Sequence, residues 1–285
     1  MEVSSIGETT GVMFHFDPSR LTAVANAHAE SYRSARPFPH AVIDNFLPED
    51  VIDALNAEFP SPGGAAWRAY DDPYERKLEG TDTTSMGEIT RAIFAEFNSA
   101  PFIDFLEKLT GIEGLITDPH LYGGGLHQIE AGGFLKVHAD FNWHERLKLD
   151  RRLNLLLYLN RDWDESWGGH LELWDRAMTR SDAKILPVAN RCVVFSTTSD
   201  ANHGHPDPLR CPPDRTRRSI ALYYYSNGRP AAELAREHGT NFAPRPGEEW
   251  RRPTTAIEVR LKRWVPPALW ELLRGLKRAK SRDRG

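Results

Sequence analysis

Apolar and polar positions follow a helical period in the first half of the chain and alternate over short stretches in the second. Helical spacing runs through 48–58, 87–98 and 102–110. Short β-type runs separated by turns occupy 117–129, 133–139, 152–159, 170–174, 184–188, 191–196 and 217–225. An earlier strand is expected at His40-Ala-Val-Ile-Asp44, feeding the helix that starts near 48. Residues 1–36 are polar and read as irregular. The stretch 60–86, rich in Gly, Asp, Pro, Thr and Tyr, reads as a long loop able to cover a site. Because the helices precede the strands instead of alternating with them, a parallel doubly wound sheet is disfavoured. The expected fold is α+β: a double-stranded β-helix, or jelly roll, over about 117–226 with flanking N-terminal helices. The expected partition is an irregular segment 1–36, one domain over 37–230, and an extension 231–285.

Composition narrows the class. A chain of 285 residues can bury one sizeable core. The two cysteines, Cys192 and Cys211, cannot form a disulfide framework, and no cleavable leader is recognisable, so a reducing, cytoplasmic setting is expected. No apolar run approaches the roughly 20 residues needed to cross a bilayer. The net charge of −4 conceals a basic end, where nine Lys and Arg against three acidic residues give the last thirty positions +6. Apolar positions Trp264, Val265, Leu269, Leu272, Leu273 and Leu276 recur there at helical spacing around Pro266-Pro267. A basic amphipathic helix is expected, either docked on the domain or in peripheral contact with anionic lipid. The rest of the chain has no basic stripe, so nucleic acid is not an expected partner.

The chemistry starts from pairs of the form His-x-Asp/Glu. Residues two apart on a strand project to one side, so such a pair can reach a single metal ion. Two histidines and a carboxylate on one face form the ligand set of non-haem iron(II) oxygenases, which keeps positions open for co-substrate and oxygen. With eleven histidines and 40 acidic residues, ~1.5 such pairs arise by chance. Five occur: His15/Asp17, His28/Glu30, His138/Asp140, His170/Glu172 and His205/Asp207. Only His138/Asp140 ends a short strand after a glycine pair and precedes further strands, a later histidine and an arginine opening a final strand. A third ligand is expected just past the strand at 191–195, where His203 and His205 both qualify.

An anionic co-substrate needs a fixed cation, and arginine binds a carboxylate bidentately without losing its charge. Arg217 and Arg218 open the run Arg-Arg-Ser-Ile-Ala-Leu-Tyr-Tyr-Tyr225, and alternation lets one of them face inward. With Arg217 inward, Ser219, Ala221 and Tyr223 share its side, and the small residues leave space for a ligand.

The stretch 120–226 resembles the prolyl 4-hydroxylase-type branch of the 2-oxoglutarate/iron(II) dioxygenases. The most specific part is Leu156-Leu-Tyr158-Leu-Asn-Arg-Asp-Trp running into Gly168-Gly169 and the next strand. The opening Pro-His-Ala-Val-Ile-Asp-Asn-Phe-Leu-Pro is similar to the start of many bacterial members. The resemblance implies metal ligands His138, Asp140 and His203, with the spacing from Phe195 favouring His203 over His205. It implies that Arg217, rather than Arg218, and Tyr158 hold the far carboxylate of 2-oxoglutarate. Where relatives often have a tyrosine ten residues before the first ligand, this chain has Gln128, whose amide is expected at the co-substrate. The implied cofactors are Fe(II), 2-oxoglutarate and O2, with ascorbate as a stimulant.

The implied activity is hydroxylation of an unactivated carbon of a prolyl residue, free amino acid or small metabolite, yielding succinate and CO2. The substrate is small or peptidyl. The segments 60–86 and 204–216 are expected at the lip of the site, with Trp67, Tyr70, Tyr74 and acidic residues suited to a cationic or peptide ligand. The alternative is a non-catalytic jelly-roll scaffold, or a cupin-like metal protein without 2-oxoglutarate.

Overall fold

The computed structural model describes residues 14–64 and 66–249. The basic helix expected within 264–285 lies outside the described residues.

Four helices come early: α1 (Pro18–Ser34), α2 (Glu49–Glu58), α3 (Glu88–Phe97) and α4 (Ala100–Thr110). The first strands are β1 (His40–Ile43), β2 (Arg68–Asp71), β3 (Glu75–Gly80), β4 (Ile116–Thr117), β5 (Gly125–Ile129), β6 (Phe134–Ala139) and β7 (Trp143–His144). They are followed by β8 (Leu149–Tyr158), β9 (Leu171–Trp174), β10 (Ser181–Ile185), β11 (Cys192–Ser196), β12 (His203–His205), β13 (Arg217–Ser226) and β14 (Asn241–Phe242). The main sheet runs β1-β11-β8-β13-β5-β3-β6-β12-β9-β10, with every strand pair antiparallel. It curls almost into a barrel. This is the expected jelly roll, with β3 bridging its two halves between β5 and β6.

Period-two alternation divides each central strand between two environments. Leu153, Leu155 and Leu157 of β8, with Ile220, Leu222 and Tyr224 of β13, point out of the barrel. There they pack with α1 to α4 through Leu21, Leu55, Phe97, Phe102 and Leu106 in one apolar core. The opposite faces carry Asn154, Leu156, Arg217, Ser219 and Tyr223 into the barrel. These strands therefore read as nearly continuous apolar runs on the helix side only.

Three stretches differ from the sequence-based expectation. Residues 18–34 are helical, not irregular. Asp17 caps α1 by accepting from the Ser19 amide at 2.8 Å, and Pro18 opens it. Its buried stripe of Leu21, Ala25 and Tyr32 is too sparse over 17 residues to stand out as a hydrophobic period. The stretch 60–86 contains a hairpin, with β2 paired to β3 from Arg68↔Glu79 to Asp71↔Arg76. It escapes the alternation test because its inward face is charged. Finally, β14 lies beyond 230 yet pairs with β6, setting Phe242 opposite His138. Within the described residues, no helix is long and apolar enough to cross a membrane. Both cysteines are buried and free.

Candidate functional site

His138 and His203 are register partners on neighbouring strands β6 and β12, which places their imidazoles side by side at 4.5 Å between ring centroids. Asp140 follows two residues after His138 and turns to the same side. Its Oδ1 stands 3.5 Å from His138 Nε2 and its Oδ2 stands 3.4 Å from His203 Nε2. Ligand atoms of the three all fall within 4.8 Å of one another, the one such cluster of His, Cys, Asp and Glu among the described residues. His205 pairs instead with Leu135 and is not in the cluster, so the structure selects His203 between the two.

Each imidazole is locked from behind. His138 Nδ1 lies 2.8 Å from the Lys136 carbonyl and His203 Nδ1 lies 2.9 Å from the Ala201 carbonyl. Both carbonyls accept from Nδ1, which leaves the Nε2 lone pairs directed at the common centre. Burial lowers the His203 pKa to about 4, against the pull of Asp140, so the ring is neutral and able to ligate at pH 7. Asp140 is held ionised. Burial opposes its charge, yet Arg151, His203 and His138 keep its pKa well below the ordinary carboxylate value. Asn154 Nδ2 donates to Asp140 Oδ2 at 2.7 Å, and Arg151 Nη2 lies 3.0 Å from the same oxygen. Arg151 is itself fixed by two bonds to Asn154 Oδ1 and by stacking 3.4 Å over the Tyr223 ring. Two imidazole nitrogens and one carboxylate on a single face are a donor set that fits Fe(II) and keeps further positions open.

The centre opens into a cavity of about 420 Å³. At one end Arg217 is 4% exposed, with no carboxylate within 4 Å among the described residues. Its Nε donates to the Gly169 carbonyl at 2.8 Å and its Nη2 to Tyr158 Oη at 3.2 Å. Burial lowers its pKa, the expected cost of a cation without a counter-ion. Gly169 has φ +75°, and a Cβ there would fall 2.7 Å from Leu209 Cδ2 and 3.1 Å from Arg217 Cδ. The glycine is required both by the turn and by the close approach of Arg217. Tyr158, Ser219, His127 and Glu79 form one row across β8, β13, β5 and β3, and Ser219 lines the cavity. A buried, uncompensated arginine beside a phenol suits a dicarboxylate.

Gln128 is a correction. It lies on the face of β5 away from the cavity and donates from Nε2 to Thr216 Oγ1 at 2.8 Å. Its neighbours His127 and Ile129 line the cavity instead. The turn 130–133 sets which face each β5 residue takes, so counting back ten residues from His138 lands on the wrong parity. His127 Nε2 and both ring nitrogens of His205 are buried without hydrogen-bond partners among the described residues. Burial lowers the His127 pKa to about 3.

Of the segments expected at the lip, the hairpin contributes Arg68, Tyr70, Glu75, Lys77 and Glu79 to the cavity. Trp67 instead packs on Phe59 and Tyr74 on Phe242. Only Gly204 and His205 of the 204–216 stretch reach the cavity, while Leu209 and Cys211 pack with Ile129 and Trp163. Sequence reasoning missed Arg151, Asn154, His127 and Phe242. Alternation from Tyr158 could have placed Asn154 on its face, but no sequence signal brings Phe242 to His138.

Comparison with known proteins agrees with this arrangement. Residues 124–225, which contain every one of these ligand and arginine positions, match the 2OG-Fe(II) oxygenase superfamily. The fold is similar to that of a prolyl hydroxylase from Trichoplax adhaerens, solved in complex with a hypoxia inducible factor oxygen degradation domain peptide fragment. The two are 15% identical with a TM-score of 0.54, over 73% of this chain and 91% of that one. A prolyl-4-hydroxylase from Pseudomonas putida is 20% identical with a TM-score of 0.47, over 73% of this chain and all of that one.

Proposed function

We propose that this chain, whose residues 124–225 carry a 2-oxoglutarate/Fe(II) oxygenase domain, hydroxylates an unactivated carbon of a small-molecule or peptidyl substrate, with 2-oxoglutarate converted to succinate and CO2. The observation that carries the reading is the convergence of His138, Asp140 and His203 at one end of a cavity whose other end holds Arg217, without a counter-ion among the described residues.

In this reading His138 Nε2, His203 Nε2 and the Asp140 carboxylate hold the iron, while Arg217 and Tyr158 hold the far carboxylate of 2-oxoglutarate, with Ser219 beside them. The bound iron and 2-oxoglutarate supply the activation of O2 and the oxidising power for attack on carbon. The protein supplies position and dryness. Asn154 and Arg151 fix which way the Asp140 carboxylate faces, and the carbonyls of Lys136 and Ala201 hold both imidazoles in the ligating tautomer. Leu135, Leu156, Leu171 and Phe242 wall the cavity and keep bulk water from the reacting atoms.

The test is an anaerobic titration with Fe(II) and then 2-oxoglutarate, followed through the weak visible charge-transfer band, together with succinate release in air. The band and the release are expected for the native chain, and both are expected to vanish in His138→Ala. Wild-type turnover in that variant would refute the assignment. A jelly-roll scaffold without catalysis would show neither signal.

A further inference from the structure

The walls of the cavity carry more charge than the metal and co-substrate consume. Lys77 is neutralised by Glu75 at 3.1 Å, Arg151 by Asp140 at 3.0 Å, and Arg217 is the one assigned to 2-oxoglutarate. Glu79 is left over. It lines the cavity, is 6% exposed, and has no cation within 4 Å among the described residues. Its two oxygens share one donor, the Tyr70 hydroxyl, at 3.3 Å from each, which is a long and divided hydrogen bond. Arg68, directly opposite across the hairpin, does not close on it, because its guanidinium lies over the Tyr70 ring at 4.9 Å.

The position of this carboxylate is set by the sheet. It is the register partner of His127, one strand from β13, and so stands over the cavity rather than at its outer edge. Burial raises the Tyr223 phenol's pKa, and the charges of Asp140 and Glu79 both add to that rise while Arg151 opposes it. Burial likewise raises the pKa of Glu79 itself. Such a group loses hydration and regains only the one long bond from Tyr70, unless a ligand brings further donors. An ammonium brings three donors and a full charge, and its bonds to carboxylates are about twice as strong as neutral ones. The rings of Tyr70, Tyr122, Phe141 and Tyr223 also line the cavity and suit the apolar carbons next to such a nitrogen.

Resting on the oxygenase reading, we propose that the hydroxylated substrate is a small molecule carrying a protonated primary or secondary amine, and that Glu79 is the carboxylate that binds it. The cavity of about 420 Å³ must also take 2-oxoglutarate, so what enters beside Glu79 is of metabolite size.

The experiment uses the full chain with Fe(II), 2-oxoglutarate and ascorbate. It measures how much a small-molecule cell extract stimulates succinate formation. The extract is split at neutral pH on a cation-exchange resin, and half of the retained fraction is treated with acetic anhydride to cap its amines. Stimulation is expected in the retained fraction, with a drop of at least about tenfold on acetylation. In Glu79→Gln the KM for that fraction is expected to rise about tenfold or more, with a smaller change in kcat, as for loss of one charged hydrogen bond. Stimulation confined to the unretained fraction, stimulation that survives acetylation, or none from either fraction overturns the proposal while the oxygenase reading stands. Absence of the charge-transfer band from the native chain overturns the reading and the proposal together. The band also reports whether Glu79→Gln still folds and loads, which separates lost recognition from lost structure.

Discussion

Arg151 Nη2 stands 3.0 Å from Asp140 Oδ2, and both side chains are enclosed, at 1% and 10% exposure. The carboxylate is thus tied to a cation on β8 as well as to its own strand. A buried arginine in this position reports on metal binding and on folding at once.

Replacing Arg151 by Met is expected to weaken Fe(II) binding about 10–100-fold, the usual cost of removing an outer partner of a metal ligand. Leaving Asp140 without its cation is also expected to cost about 3–5 kcal/mol of stability in the metal-free protein. Fe(II) titration and urea denaturation measure the two effects separately. Asn154→Ala keeps the cation, so its Fe(II) affinity is expected to fall less than that of Arg151→Met. Equal affinity in Arg151→Met and the native chain would show that the contact does not orient the ligand.

Ligand addition has its own signature. At a 2-oxoglutarate concentration about 100-fold above Kd, binding stabilises the folded state by about 2.7 kcal/mol. The melting temperature of the metal-loaded native chain is therefore expected to rise with 2-oxoglutarate. Arg217→Met is expected to lose this second rise and keep the rise caused by metal alone. A 2-oxoglutarate response that survives in the variant would remove Arg217 from the co-substrate site.

Gly169→Ala tests the same end of the cavity through the backbone. The positive φ alone costs an alanine about 1–3 kcal/mol, and its methyl would press on Leu209 and Arg217. Because the Gly169 carbonyl holds Arg217 Nε, 2-oxoglutarate affinity is expected to fall by about tenfold or more, in line with a displaced charged hydrogen bond. Isothermal titration on the metal-loaded variant measures it, and unchanged affinity would contradict the role given to the turn.

A pH effect on stability arises far from the metal. Glu58, at the end of α2, accepts from the Ile89 and Thr90 amides and the Thr90 hydroxyl, capping α3 from outside. Burial opposes its charge, but the Thr90 and Ile89 bonds and Arg91 win, so its pKa is lowered. A lowered folded pKa means that the contribution is complete above the unfolded carboxyl range and is lost as pH falls through the folded value. Glu58→Ala is expected to cost about 1 kcal/mol at neutral pH, as for loss of a helix N-cap. The difference from the native chain should shrink at about pH 3, below the ordinary glutamate range. Gly87 leaves no room for a Cβ beside this carboxylate, so Gly87→Ala should disturb the same cap and add little to Glu58→Ala. Urea denaturation at both pH values checks the pair, and a difference that grows in acid would contradict the sign.

Much of the fold was legible because period-two alternation and helical spacing are local properties. The runs at 152–159, 191–196 and 217–225 became β8, β11 and β13, and the helices at 48–58, 87–98 and 102–110 became α2 to α4. The two missed elements share one cause. The hairpin 68–80 and helix α1 show no strong apolar period, the first because its inner face is charged and the second because it buries only Leu21, Ala25 and Tyr32. Gln128 was misplaced because the face a strand residue takes depends on the turn before the next strand, and a residue count does not carry that parity.

The sequence by itself determined the donor types and the faces they share within a strand: His138 with Asp140, and Arg217 with Ser219. Covalent geometry makes residues two apart point the same way whatever the fold around them. Only the tertiary structure decided the meetings between strands. The register of β6 against β12 put His203, and not His205, beside His138. The pairing of β14 brought Phe242 to the same ring, and the row across β8, β13, β5 and β3 set Glu79 above the cavity. Register is fixed by the packing of whole faces and by turn lengths, which are properties of the folded sheet as a unit.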